Sequence, residues 1–162
     1  MSTLFDALPE ALKAIRARPL FVMRLAVKPL QIIGETPGNL RRIGVFEGSF
    51  EGERLSGTLI EGASDWQNVR RDGATTLDVR MVLKTNDEAL IGMTYRGMRH
   101  GPVDIIKRME QGEAVDPAAY YFRTTGFFET AAPQYDWLNR VIAVGIGQRL
   151  ASGPVYSVFE IL

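Results

Sequence analysis

Acidic and guanidinium side chains recur at two-residue spacing inside segments of strand-like sequence. Asp78 and Arg80 stand two apart in TTLDVRMVLKT, and Asp65 precedes Trp66 where another such segment opens. Arg123 shares its register with Tyr121, Glu129 follows Phe128, and Trp137 and Asn139 flank Leu138. Turned into an enclosed cavity, an arginine could hold a carboxylate or enolate, and a desolvated aspartate could stay protonated and act as an acid. Turned outward, the same residues are cross-strand ion pairs of small energetic value. On the inward reading, Asp65 or Asp78 donates or accepts a proton, while Arg80 and Arg123 stabilise negative charge. Tyr95, Tyr121, Trp66 and Trp137 then shape the cavity beside Glu129. Aromatic residues of this kind serve equally well as core.

Composition removes several other chemistries. Lysine plus arginine balance aspartate plus glutamate at 19 each, which argues against a nucleic-acid groove. With no cysteine there is no thiolate nucleophile, disulfide or cysteine metal site, and a lone histidine, His100, cannot build a multi-histidine centre. Gly145-Ile146-Gly147 lies within a strand pattern and is not a dinucleotide turn opening a helix. His100 sits in RHGP without a nucleophile elbow and reads as a solvated loop residue. Neither a metal nor a nucleotide cofactor is expected. No apolar run reaches the roughly 20 residues that cross a bilayer, and Asp6 and Glu10 interrupt any leader-like segment. The expectation is a cytoplasmic protein with no membrane or nucleic-acid partner.

The elements that would position these side chains are mostly strands. Leu77, Val79, Met81 and Leu83 alternate with polar residues, and after Thr85-Asn86-Asp87-Glu88 a second apolar run to Tyr95 completes a hairpin. Further strands are predicted over 20–27, 45–50, 55–60, 66–71, 120–130, 141–149 and 155–162. Residues 34–42 read as a loop, and 97–117 as a lid or mouth excursion with a helical turn or two over 104–110. Leu4, Leu8, Leu12 and Ile15 predict a short amphipathic helix over 3–16, interrupted by Pro9 and packed on the domain or on a second subunit. The division is an N-terminal helical segment, 1–19, and one β-domain, 20–162. Short strands punctuated by glycine favour an all-β, closed antiparallel barrel over a sandwich.

From Leu20 to Leu162 the chain resembles the domain-of-unknown-function 3237 family. The likeness rests on Arg41-Arg42-Ile43-Gly44, Gly48-Ser49-Phe50-Glu51-Gly52, Asp65-Trp66, Arg71-Asp72-Gly73, Leu77-Asp78-Val79-Arg80, Ala89-Leu90-Ile91, Tyr121-Phe122-Arg123, Phe128-Glu129-Thr130 and Tyr135-Asp136-Trp137-Leu138-Asn139. It implies a single calycin-like antiparallel β-barrel, often oligomeric, with no activity general to the family. It also places Asp65, Trp66, Asp78, Arg80, Arg123, Glu129 and Trp137 at signature positions. Glu47-Gly48, Gly62-Ala63-Ser64 and Asp87-Glu88 depart from the family pattern by adding side chains at turns or bulges, which points to a differently shaped mouth.

Three functions follow as expectations. The first is a cofactor-independent acid–base enzyme of isomerase, lyase or cyclase type, acting on a small, largely apolar molecule in the barrel cavity. The second is a non-catalytic carrier of small hydrophobic ligands. The third is a structural subunit whose barrel is plugged with side chains. A homo-oligomer is expected.

Overall fold

The computed structural model describes residues 3–162 and is built almost wholly of antiparallel strands. They are β1 (Ala17–Val27), β2 (Gln31–Glu35), β3 (Leu40–Glu51), β4 (Ser56–Leu59), β5 (Ser64–Val69), β6 (Thr75–Thr85), β7 (Leu90–His100), β8 (Tyr121–Glu129), β9 (Ala143–Leu150) and β10 (Gly153–Ile161). One α-helix, α1 (Val103–Glu110), interrupts them. The sheet closes because β1 pairs with β10 on one side and with β3 on the other. β4 and β5 lie end to end between β3 and β6, and β2 continues along the β3 edge that β1 leaves. Closure removes the edges of the barrel proper, so no helical cover is needed there, while β2, paired with β3 alone, keeps its outer one.

Strand alternation decides what fills the interior. In β6 every odd residue from Thr75 to Thr85 is buried, whereas Asp78, Arg80 and Val82 are exposed. Along β7, Ile91, Met93, Tyr95 and Arg99 continue the inward row. Gly147 of β9 faces the Phe122 ring so closely that a Cβ there would lie 2.7 Å from it; the glycine leaves the room that the aromatic ring fills. The ring of Tyr156 meets those of Phe122 and Tyr95 edge-on, with centroids 5.2 and 5.6 Å apart.

One end of the barrel is shut. The 3-10 helix Pro133–Arg140 buries Leu138, and the Arg54 guanidinium lies 4.1 Å from the centre of the Trp137 ring. The Glu160 carboxylate accepts from Arg18 Nε at 2.9 Å and from Arg54, and these bonds, Arg18's first, hold its pKa below the ordinary glutamate value. A lowered native-state pKa means stability present above the ordinary value and lost as the pH falls. Glu160→Gln is therefore expected to cost about 1–2 kcal/mol at neutral pH, the modest size reflecting a half-exposed Arg18. Urea titrations should show the difference from the parent protein shrinking below about pH 4.

Several segments differ from their sequence-based prediction. Residues 3–16 carry one 3-10 turn, Glu10–Leu12, and leave Leu4, Phe5, Leu12 and Ile15 exposed instead of forming a packed amphipathic helix. Pro9 has no N–H to continue a helix begun before it. The predicted loop at 34–42 contains the end of β2 and the start of β3, two strands paired from Gln31↔Ile43 to Glu35↔Leu40. The predicted excursion begins only after His100, because β7 runs on past Gly97; His100 ends that strand and stacks on Tyr121. The barrel itself starts at Ala17.

Candidate functional site

The other end of the barrel is open. A cavity of about 300 Å³ lies there between the end of β1, the first half of β3, β5, the end of β7, α1 and the β9–β10 hairpin. Its polar lining is Arg42, Asp65, Gln67, Arg99, Glu110 and Arg149, and its apolar wall includes Val27, Leu30, Phe46 and Met109. The barrel is thus not plugged throughout.

Asp65 faces the interior because it stands opposite Val79, a member of the inward row of β6. β5 and β6 pair at Ser64↔Arg80 and Asp65↔Val79, then not again until Asn68↔Thr76. In that gap the Asp78 N–H donates to Asp65 Oδ1 at 3.1 Å. Gln67 Nε2 donates to Asp65 Oδ2 at 2.8 Å, and Gln67 Oε1 accepts from Arg42 Nε at 2.7 Å. Arg42 reaches on to Glu110 of α1 at 3.4 Å. The relay fixes the Gln67 amide, since flipping it would forfeit Arg42. Each Asp65 oxygen already accepts one protein hydrogen bond, so a proton bound to either occupies its remaining lone pair.

Burial pushes the Asp65 carboxyl up to about 6, against the opposing pull of the Gln67 and Asp78 hydrogen bonds and the Arg99 and Arg42 charges. A carboxyl with that pKa exchanges protons readily near neutrality. One inward step deeper, the buried Tyr95 and Tyr156 hydroxyls lie 3.3 Å apart, both held above the ordinary tyrosine pKa chiefly by burial. Arg99 is 5% exposed, and no hydrogen bond or ion pair to its guanidinium occurs among the described residues; the Phe122 ring centre lies 5.5 Å from it. Burial, then Arg42, lowers the Arg99 pKa, and burial is the main cause of the same shift in Arg149.

Of the nine residues predicted from sequence, the structure brings two inside: Asp65 on the cavity wall and Tyr95 below it. Asp78 and Arg80 point outward and meet Ser64 and Trp66 in a surface groove, because Leu77, Val79 and Met81 occupy the inward row of β6. Trp66, the neighbour of inward Asp65, is 48% exposed. Arg123 lies outside on β8, its guanidinium 5.2 Å from the ring centre of exposed Tyr121, because Phe122 and Thr124 take the inward positions. Glu129 is exposed on the same outer face, and Trp137 belongs to the shut end. The placement of these seven residues outside the cavity corrects the inward reading for them.

Arg42, Gln67, Arg99, Arg149 and Tyr156 were not singled out as site residues from the sequence. Arg99 had a signal: it extends the row Ile91, Met93, Tyr95 by even steps across Gly97. Arg42 and Arg149 carried none, since their strands place them at the mouth only through closure.

The family described as protein of unknown function, DUF3237, matches residues 15–161. A UPF0311 protein from Rhodopseudomonas palustris is 31% identical over 91% of this chain and 97% of its own. A crystal structure of a conserved protein of unknown function from that species superposes with a TM-score of 0.87 at 31% identity, covering 92% of this chain and 99% of the other. A β-barrel-like protein from Acinetobacter baumannii does so with a TM-score of 0.80 at 36% identity, covering 92% and 97%. The structure of an enzyme from Penicillium herquei shares the fold at 20% identity, with a TM-score of 0.69 over 91% of this chain and 95% of its own.

Proposed function

We propose that this chain, which belongs to the DUF3237 family, is a cofactor-independent acid–base catalyst for a small, largely apolar molecule bound in the open end of its barrel. The observation that carries the reading is Asp65: a carboxyl on a cavity wall, its pKa raised towards neutrality, clamped by Gln67 and the Asp78 N–H. Asp65 takes a proton from carbon next to a substrate carbonyl, and the nearby Arg99 charge stabilises the enolate oxygen that forms. Returning the proton to a different atom isomerises the substrate; expelling a β-leaving group makes the step a lyase reaction, and attack of the enolate carbon on an internal carbonyl, whose oxygen takes the proton back from Asp65, would close a ring. Reacting molecules would be shielded by Val27, Leu30, Phe46 and Met109. A barrel of this shape also belongs to the Penicillium herquei enzyme, which supports the fold as a host for catalysis.

Phenylacetone, a neutral enolisable ketone, tests the proton-transfer step directly. Incubated with the protein in D₂O and followed by NMR, its benzylic protons should exchange faster than in buffer. A carrier of small hydrophobic ligands is the second reading, favoured by the hydrogen bonds that already occupy both Asp65 oxygens. Saturable binding of the ketone without accelerated exchange would leave that reading in place of the first.

A further inference from the structure

We propose that the mouth cavity binds the carboxylate of its small-molecule substrate, with the Arg99 guanidinium as the principal anchor and Arg149 beside it. The proposal deepens the acid–base reading by naming the substrate class, an apolar or aromatic carboxylic acid. Three guanidinium groups, Arg42, Arg99 and Arg149, line this cavity against two carboxylates, Asp65 and Glu110. Glu110 is engaged with Arg42, and Asp65 receives its hydrogen bonds from Gln67 and the Asp78 backbone. Arg149 is occupied in part, donating through Nη1 to the Leu150 carbonyl. Arg99 alone is left with its fork of donors unused, although it is almost wholly buried.

Among the described residues the one sealed side-chain polar atom without a partner is Asn68 Oδ1, so the free donors of Arg99 open onto the cavity, where a charged ligand can take them up. A carboxylate fits two parallel N–H groups of one guanidinium, as a phosphate also can, so the choice between them falls to the apolar part of the cavity. The apolar lining, Val27, Leu30, Phe46 and Met109, would desolvate a hydrocarbon or aromatic body attached to that carboxylate.

Calorimetric titration with 3-phenylpropionate, 3-phenylpropanamide and inorganic phosphate tests this on the full chain. 3-Phenylpropionate has no enolisable ketone, so its binding is independent of whether Asp65 transfers protons. Saturable binding of the carboxylate, at least tenfold tighter than that of the amide, is expected. Arg99→Met should weaken it by about tenfold to a hundredfold, with Arg99→Gln as a second variant that keeps a polar side chain. Thermal melts should show both variants folded, since each removes an unpaired buried charge. Asp65→Asn should bind the carboxylate at least as tightly as the parent, because it removes a like charge from the cavity. Equal affinity for acid and amide, tighter binding of phosphate than of phenylpropionate, or unchanged carboxylate affinity in folded Arg99→Met would each overturn the proposal. So would no carboxylate binding at millimolar concentration. None of these outcomes bears on phenylacetone exchange, so the two readings fail separately.

Discussion

Asp65→Asn is expected to reduce catalysed proton exchange by about a hundred- to ten-thousandfold, the span that a positioned acid–base group contributes. The asparagine keeps an oxygen for the Asp78 N–H but cannot take up or release a proton near neutrality. Stability should respond in a second, independent way. The native carboxyl is raised from 3.8 to about 6, chiefly by burial, so the folded state holds this proton more tightly than the unfolded one. That contribution is complete below pH 4 and is lost as the pH climbs through 6; two units of displacement amount to roughly 3 kcal/mol. The parent protein should lose that stability between pH 4 and pH 8 relative to Asp65→Asn. Comparing the two cancels the opposite trend from Glu160, Asp87 and Asp136, whose lowered values favour the fold only at higher pH. Urea unfolding of both proteins across this range measures the difference directly. Parallel pH profiles would mean that Asp65 is solvated and an unsuitable acid; undiminished exchange in the variant would remove it from the chemistry.

Gly153→Ala should be the most damaging small substitution in the barrel, costing about 3 kcal/mol or more. Gly153 has a φ of +146°, and an added Cβ would sit 2.0 Å from the Leu25 carbonyl oxygen, so backbone must move. The crowding arises where the β9–β10 hairpin crosses the end of β1, with the Val27 N–H donating to the Ser152 carbonyl at 3.2 Å. That hairpin carries Arg149 and Pro154 into the cavity wall, so the variant should also weaken carboxylate binding. Gly38→Ala is the control: nothing lies within 4 Å of its added Cβ, and the effect should stay within about 0.5 kcal/mol. Equal urea midpoints for the two variants would show that the hairpin yields freely.

The family resemblance and the barrel were both legible in the chain, and for a physical reason. A half-buried strand shows its two faces by alternation, as Leu77, Val79, Met81 and Leu83 do between polar neighbours. The same alternation already puts Asp78 and Arg80 on the polar row, opposite the apolar one that fills the interior. Asp65 was harder to orient, because Ser64-Asp65-Trp66-Gln67-Asn68-Val69 lacks an apolar row and its most hydrophobic member, Trp66, faces outward. The true end of β7 was hidden by Gly97, which reads as a break in sequence but gives Thr124 and the β8 backbone room to approach.

By itself, then, the order of residues determined a closed sheet with an aspartate and arginines distributed along it, since local periodicity needs only neighbours one and two positions away. Tertiary structure alone decided which end stays open, and that Arg42, Asp65, Arg99 and Arg149 meet there. Those four come from four different strands, β3, β5, β7 and β9, brought together by ring closure and register. No local pattern encodes such a meeting. Burial of the assembled group, which lifts the Asp65 pKa and leaves Arg99 without a partner, exists only once the barrel has closed around it.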